Sequence, residues 1–125
     1  MLTAIEIHHL IQRLATLEPG ISDLFILSGY PFQVMVYGRV KSVYLEEFPV
    51  EKLTPFQSEQ IAFYLLREHP YLYPQLIKDG YADFSYALED GTRFRVNVFS
   101  RQRTYNIIMR KLENRIKTIE ELNLK

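Results

Sequence analysis

The stretch YADFSYALEDGTRFRVNVF, running from Tyr81 to Phe99, decides how this chain is read. Ala82, Phe84, Tyr86 and Leu88 sit at every second position, and so do Phe94, Val96 and Val98. A period of two places each set on one face of a β-strand. Between the two runs, Glu89-Asp90-Gly91-Thr92 contains an Asp-Gly pair, which accepts the positive φ that a tight hairpin turn demands. The stretch is therefore a hairpin with one apolar face, and that face needs a second layer to cover it. The opposite face carries Arg93, Arg95, Asn97 and Phe99.

Toward the C-terminus, a turn near Arg101–Arg103 leads into a strand from Thr104 to Leu112. The segment Glu113–Lys125 is charged, with Ile116, Ile119 and Leu122 at a spacing of three. Thr118 and Glu121 have capping-box spacing, so a helix is expected to start at the very end. Toward the N-terminus, Thr54-Pro55 with Gln57 opens a helix expected to reach Glu68, because threonine caps and proline fits the first helical position. His69–Gly80 carries Pro70 and Pro74 and reads as a short broken helix ending at Asp79-Gly80. At the start of the chain, Thr3 and Glu6 form another capping-box pair. Ile7, Leu10, Ile11, Leu14 and Leu17 then share one helical face, and Pro19-Gly20 stops the helix. Two β runs, Ser22–Ser28 and Phe32–Tyr37, follow; Gly38-Arg39 turns the chain into a third, Val40–Leu45, and Glu46–Lys52 reads as a polar loop.

The order is α-β-β-β-α-α-β-β-β. Strands grouped on either side of a helical insert point to an α+β domain, an antiparallel sheet with helices packed on one side. A PAS-like sheet is one of several arrangements that the order allows.

Composition narrows the function classes. A chain of 125 residues is one domain's worth, and 47% hydrophobic with 24% charged residues is ordinary globular composition. Lys plus Arg equals Asp plus Glu at 15 each, which removes the charge argument for nucleic-acid binding. The absence of cysteine excludes a disulfide scaffold and a thiolate metal site, and it fits the cytosol. No apolar run reaches the roughly 18–20 residues of a membrane span. Glu6, His8, His9, Gln12 and Arg13 interrupt any signal-peptide core, so no membrane insertion is expected.

No phosphate-binding glycine loop, nucleophile elbow or zinc-protease motif is present. His8 and His9 are adjacent on a helix and diverge by about 100°, and His69 is remote in sequence, so no metal site is expected. Nothing in their spacing pairs Asp23, Asp83 or Glu89, which read as cap, turn or solvated carboxylates. Arginine is the conspicuous residue type: Arg93, Arg95, Arg101, Arg103 and Arg110 fall within 18 residues. Arg93 and Arg95 share a strand face, and Arg110 lies on the following strand. Two guanidinium groups on neighbouring strands can clamp a phosphate supplied from elsewhere. The same pattern also fits a solvated strand face with weak surface ion pairs. Tyr64, Tyr71 and Tyr73 form a second cluster that reads as core and core rim, or as a partner surface.

Several segments together resemble one family. Ser22-Asp23-Leu24-Phe25-Ile26-Leu27-Ser28-Gly29, then Pro31 and Gly38, resembles the "SDLHLS-x-G-x-P-x…G" opening of PilT-type twitching-motility ATPases. Asp83-Phe84-Ser85-Tyr86 followed by Arg93–Phe99 is similar to the family's "DFSF…RFRVN-x-F" segment. Gln102-Arg103 and Arg110-Lys111-Leu112 match its "Q-x-R…FR-x-I" region, and Thr118–Leu122 its "T-x-E-E-L" linker. The resemblance spans about residues 3 to 125. It departs from the pattern at Phe25 (a histidine in the family), Met35 (an arginine), Tyr37 (an acidic or amide residue), and Thr104 and Tyr105 (glycines). The resemblance leaves open a standard PilT or a divergent paralogue, such as a PilU-like protein, and the RFRVN form favours the retraction branch.

The resemblance implies a PAS-like N-terminal domain at 1–112 and, at 113–125, a linker toward a RecA-like ATPase domain. It implies a cytoplasmic homohexameric ring, peripheral at the inner membrane through a pilus platform protein, that uses ATP and Mg to retract type IV pili. The N-terminal domain would pack on the ATPase domain of the adjacent subunit. Arg95 and Arg110 match the positions that reach the nucleotide phosphates there, with Arg93 and Arg103 as further candidates. The chain alone is expected to bind no cofactor and to hydrolyse no ATP. The alternatives are a stand-alone PAS-like ligand-binding or protein-interaction module, or the equivalent domain of a pilus-assembly or type II secretion ATPase.

Overall fold

In the computed structural model, which describes residues 3–112, both expected caps are formed. Thr3 Oγ1 accepts the Glu6 N–H at 3.2 Å and Glu6 Oε1 accepts the Thr3 N–H at 3.1 Å, opening helix α1, Ala4–Ala15. Thr54 and Gln57 repeat the arrangement at 3.1 and 2.9 Å, opening α2, Pro55–Leu66. Each box satisfies N–H groups that a helix's first turn leaves without intrahelical partners. At its other end α1 receives Lys111, whose Nζ donates to the Ala15 carbonyl at 3.2 Å. A cation there also suits the negative end of the helix dipole.

The strands are β1 (Ile21–Ile26), β2 (Phe32–Val36), β3 (Arg39–Val43), β4 (Tyr81–Ala87), β5 (Arg93–Arg101) and β6 (Thr104–Lys111). They form one sheet in the order β3-β2-β1-β6-β5-β4, and every neighbouring pair is antiparallel. The first and last strands therefore meet at the centre, with one three-strand meander on each side. After α2 comes a 3₁₀ turn, Pro70–Leu72, and then α3, Tyr73–Asp79, which Gly80 ends in the left-handed region at φ 82°. The helix expected to reach Glu68 stops two residues earlier, at Leu66. His69 precedes Pro70 and is pushed out of helical conformation, to φ −131° and ψ 56°.

The helices cover one sheet face. Ile7, Leu10, Ile11 and Leu14 of α1 and Ile61, Ala62, Leu65 and Leu66 of α2 are buried with Leu24, Phe94, Val96, Val98, Ile107 and Met109 of the sheet. This is the expected α+β arrangement, and the hairpin of residues 81–99 shows the expected alternation of buried and exposed positions. Two expectations are corrected. The loop at 46–52 is not simply polar, because Phe48 is buried and bridges back to Leu45. Tyr64 and Tyr73 do pack against the core, but Tyr71 is 71% exposed, since the 3₁₀ turn that inserts Leu72 points Tyr71 outward. The expected helix near Thr118 and the linker at 113–125 lie outside the described residues.

Candidate functional site: an arginine pair on the open sheet face

The face turned away from the helices carries the polar half of the alternation. Register sets its layout. Arg95 of β5 stands directly opposite Arg110 of β6, and Arg110 stands opposite Asp23 of β1. One row thus reads Asp23, Arg110, Arg95, Ser85 across four adjacent strands. The next row holds Phe25, Ile108, Asn97 and Asp83. Side chains paired this way have Cβ atoms about 5 Å apart, so the two arginine side chains start side by side.

Like charges at that spacing repel, and the site answers with a carboxylate. Arg110 Nε donates to Asp23 Oδ2 at 3.2 Å. The Arg110 side chain is 73% exposed and that of Asp23 only 6%. Asp83 sits one row away and accepts a hydrogen bond from Asn97 Nδ2 at 2.9 Å. Asp23, Asp83, Arg95, Asn97, Ile108 and Arg110 line a shallow hollow of about 160 Å³. A second hollow, of about 240 Å³, continues past Arg95 toward Ser85 and Leu112. Among the described residues Arg95 makes no salt bridge. The arrangement can receive an anion on a fork of donors, with Arg110 held at its base and Arg95 beside it.

The other sequence candidates divide. Arg93 is exposed on the same face, one alternation from Arg95, but lines neither hollow. Arg103 lies elsewhere, in the β5–β6 turn with φ 67°, about 20 Å along the strand from Arg110. Asp23 and Asp83, which spacing left unpaired, lie on the same open face three strands apart, at opposite sides of the hollow, each with its own partner. Asp23 is neither a cap nor a solvated carboxylate but a buried one. Its only sequence signal was its place in the SDL segment. The histidines stay apart from this face. His8 Nδ1 meets the Tyr86 hydroxyl, His9 packs on Phe48, and His69 lies between Tyr71 and Phe84. A larger hollow, about 470 Å³, opens between α1, α2 and the 46–53 loop, where neither Arg95 nor Arg110 reaches.

No family model matches the chain. It is 31% identical over 109 residues to the type IV pilus ATPase PilU of Pseudomonas aeruginosa, an alignment covering 86% of this chain and 26% of PilU. The crystal structure of the pilus retraction motor PilT with bound ADP superposes with a TM-score of 0.71 at 30% identity, over 92% of this chain and 32% of that one. The ATPase DotB of Yersinia pseudotuberculosis shares the fold at TM-score 0.72 and 16% identity, over 100% of this chain and 34% of its own. The chain thus spans between a quarter and about a third of the length of these relatives. In sequence and in fold, it is an N-terminal domain of the PilT-type secretion ATPase superfamily.

Proposed function

We propose that this domain serves a pilus-retraction ATPase of the PilT type, in which it packs on the ATPase domain of an adjacent subunit in a hexameric ring. Arg95 and Arg110 are the residues it presents to the phosphates of ATP bound there with Mg. The observation that carries this reading is the direct cross-strand pairing of Arg95 with Arg110 on the face that no helix covers. Arginine brings permanent charge and a planar set of donors to a phosphate whose charge grows in the transition state. A contact made to the γ-phosphate also ends with hydrolysis and release, so domain position can follow nucleotide state. Arg93 would support the site from one alternation away, whereas Arg103, at the distant turn, would face a different part of the neighbour. The chain holds no phosphate-loop lysine, and turnover would belong to the ATPase domain. In the cell the ring would be cytoplasmic, docked at the inner membrane on a pilus platform protein.

The test is ATP turnover by the full-length protein. Arg95→Ala and Arg110→Ala should each slow it roughly 100-fold, the scale of one lost transition-state contact worth about 3 kcal/mol. Wild-type turnover in both variants, with the ring assembled, would leave the pair as surface charge and sink the reading.

A further inference from the structure

We infer that Asp23 is a positioning residue for Arg110, fixing the guanidinium that the phosphate reading above requires, without touching the anion itself. The inference rests on that reading for its functional half and on the sheet alone for its structural half.

Asp23 reaches the arginine face through an irregularity. Ile21 and Asp23 are two residues apart and would share a face in a regular strand. The register slips between them: Ile21 pairs with Val36, yet Asp23 pairs with Met35. The slip lets Ile21 enter the core while Asp23 turns to the other side, beside Arg110. Re-aiming one side chain is a common consequence of a β-bulge. A carboxylate that is 4% exposed loses most of its hydration, which is tolerated only with a charged or hydrogen-bonding partner. Arg110 is its salt-bridge partner among the described residues.

The bond also has a direction. It engages Nε, the nitrogen nearest the side-chain stem, and leaves the terminal nitrogens on a side chain that stays 73% exposed. Without Asp23, two arginines on adjacent strands would repel and Arg110 would swing away from Arg95. The carboxylate thus holds one guanidinium at the base of the hollow, while Arg95 remains free to close on an anion.

Two measurements on Asp23→Asn test this. In the 125-residue chain, nitrogen NMR should show an Arg110 Nε–H signal, slow to exchange with water, that exchanges faster or is lost in the variant, where only a neutral amide oxygen can accept, while the backbone spectrum persists. In the full-length protein, kcat/KM for ATP should fall roughly tenfold to a hundredfold. In an Arg110→Ala background, the same substitution should cause no further loss. An unchanged Nε–H signal, or an equal loss with and without Arg110, would overturn the positioning role. A lost or faster-exchanging signal with wild-type turnover in both Asp23→Asn and Arg110→Ala would instead confirm the tether and overturn the phosphate reading. If Asp23→Asn does not fold, Arg110→Lys tests the same bond from the exposed side, because lysine keeps the charge but has no Nε donor. Turnover of Arg110→Lys should fall as far as expected for Asp23→Asn, and wild-type turnover there would equally overturn the proposal.

Discussion

Gly20 and Tyr37 clasp the end of the β1–β2 pair. The Gly20 carbonyl accepts the Tyr37 N–H at 3.1 Å, and the Tyr37 ring lies so close over Gly20 that a Cβ there would overlap it. Both residues sit in the left-handed region, at φ 87° and φ 47°. Gly29 has the same φ of 87°, but a Cβ there would meet nothing within 4 Å. Gly29→Ala should therefore cost about 1–2 kcal/mol, the backbone term alone. Gly20→Ala should cost more, and its excess should vanish in a Tyr37→Ala background. Urea denaturation of the four variants decides the matter; equal losses at Gly20 and Gly29 would mean that the exposed ring simply swings aside.

The cap at Thr54 offers a cleaner single-site test. Thr54→Ala removes the acceptor for the Gln57 N–H and should cost about 1 kcal/mol. For a domain of this size that is a fall of about 4 °C in Tm. Thr54→Ser keeps the oxygen and should stay close to wild type. Differential scanning calorimetry on the three proteins would show a flat series if the cap contributes nothing.

Local signals explain which parts of the fold were legible. The two capping boxes, the Asp-Gly turn and the period-two alternation of residues 81–99 each lie within a few neighbouring positions, and each formed as read. Alternation also placed Arg93 and Arg95 on one face, and a short turn brought Arg110 alongside. Asp23 was illegible because its role depends on two non-local facts. One is a register slip within β1, and the other is pairing with a residue 87 positions away. Phe48 was missed for a similar reason: a lone aromatic among charged loop residues carries no period, and its burial depends on where the loop folds back.

Asn106 shows how the central pair ends. The β1–β6 ladder runs to Ile26 opposite Ile107, and beyond it the Asn106 side chain takes over, accepting the Ser28 N–H at Oδ1 at 2.8 Å. Its amide nitrogen donates to Thr104 Oγ1 at 3.1 Å. Asn106→Ala would strand the part-buried Ser28 donor and should cost about 1–3 kcal/mol. The Ser28 amide should lose hydrogen-exchange protection first, while the amides of α1 keep theirs. Uniform loss across the domain would place the effect in global stability instead.

Tyr86 links stability to alkaline pH. Burial, reinforced by neighbouring Tyr64, pushes its phenol well above the ordinary tyrosine range. The neutral form is therefore favoured in the folded state. A pKa raised by folding contributes stability that is fully present below the unfolded value, about 10, and that is lost as pH rises beyond it. The hydroxyl also meets His8 Nδ1, joining β4 to α1. Tyr86→Phe should thus cost about 1 kcal/mol near neutrality through the lost hydrogen bond. Above pH 10 its stability should decline less steeply than that of the wild type, so the two denaturation curves converge. Parallel curves up to pH 11.5 would show that ionisation of Tyr86 is not coupled to folding, and that the His8 contact alone accounts for its contribution.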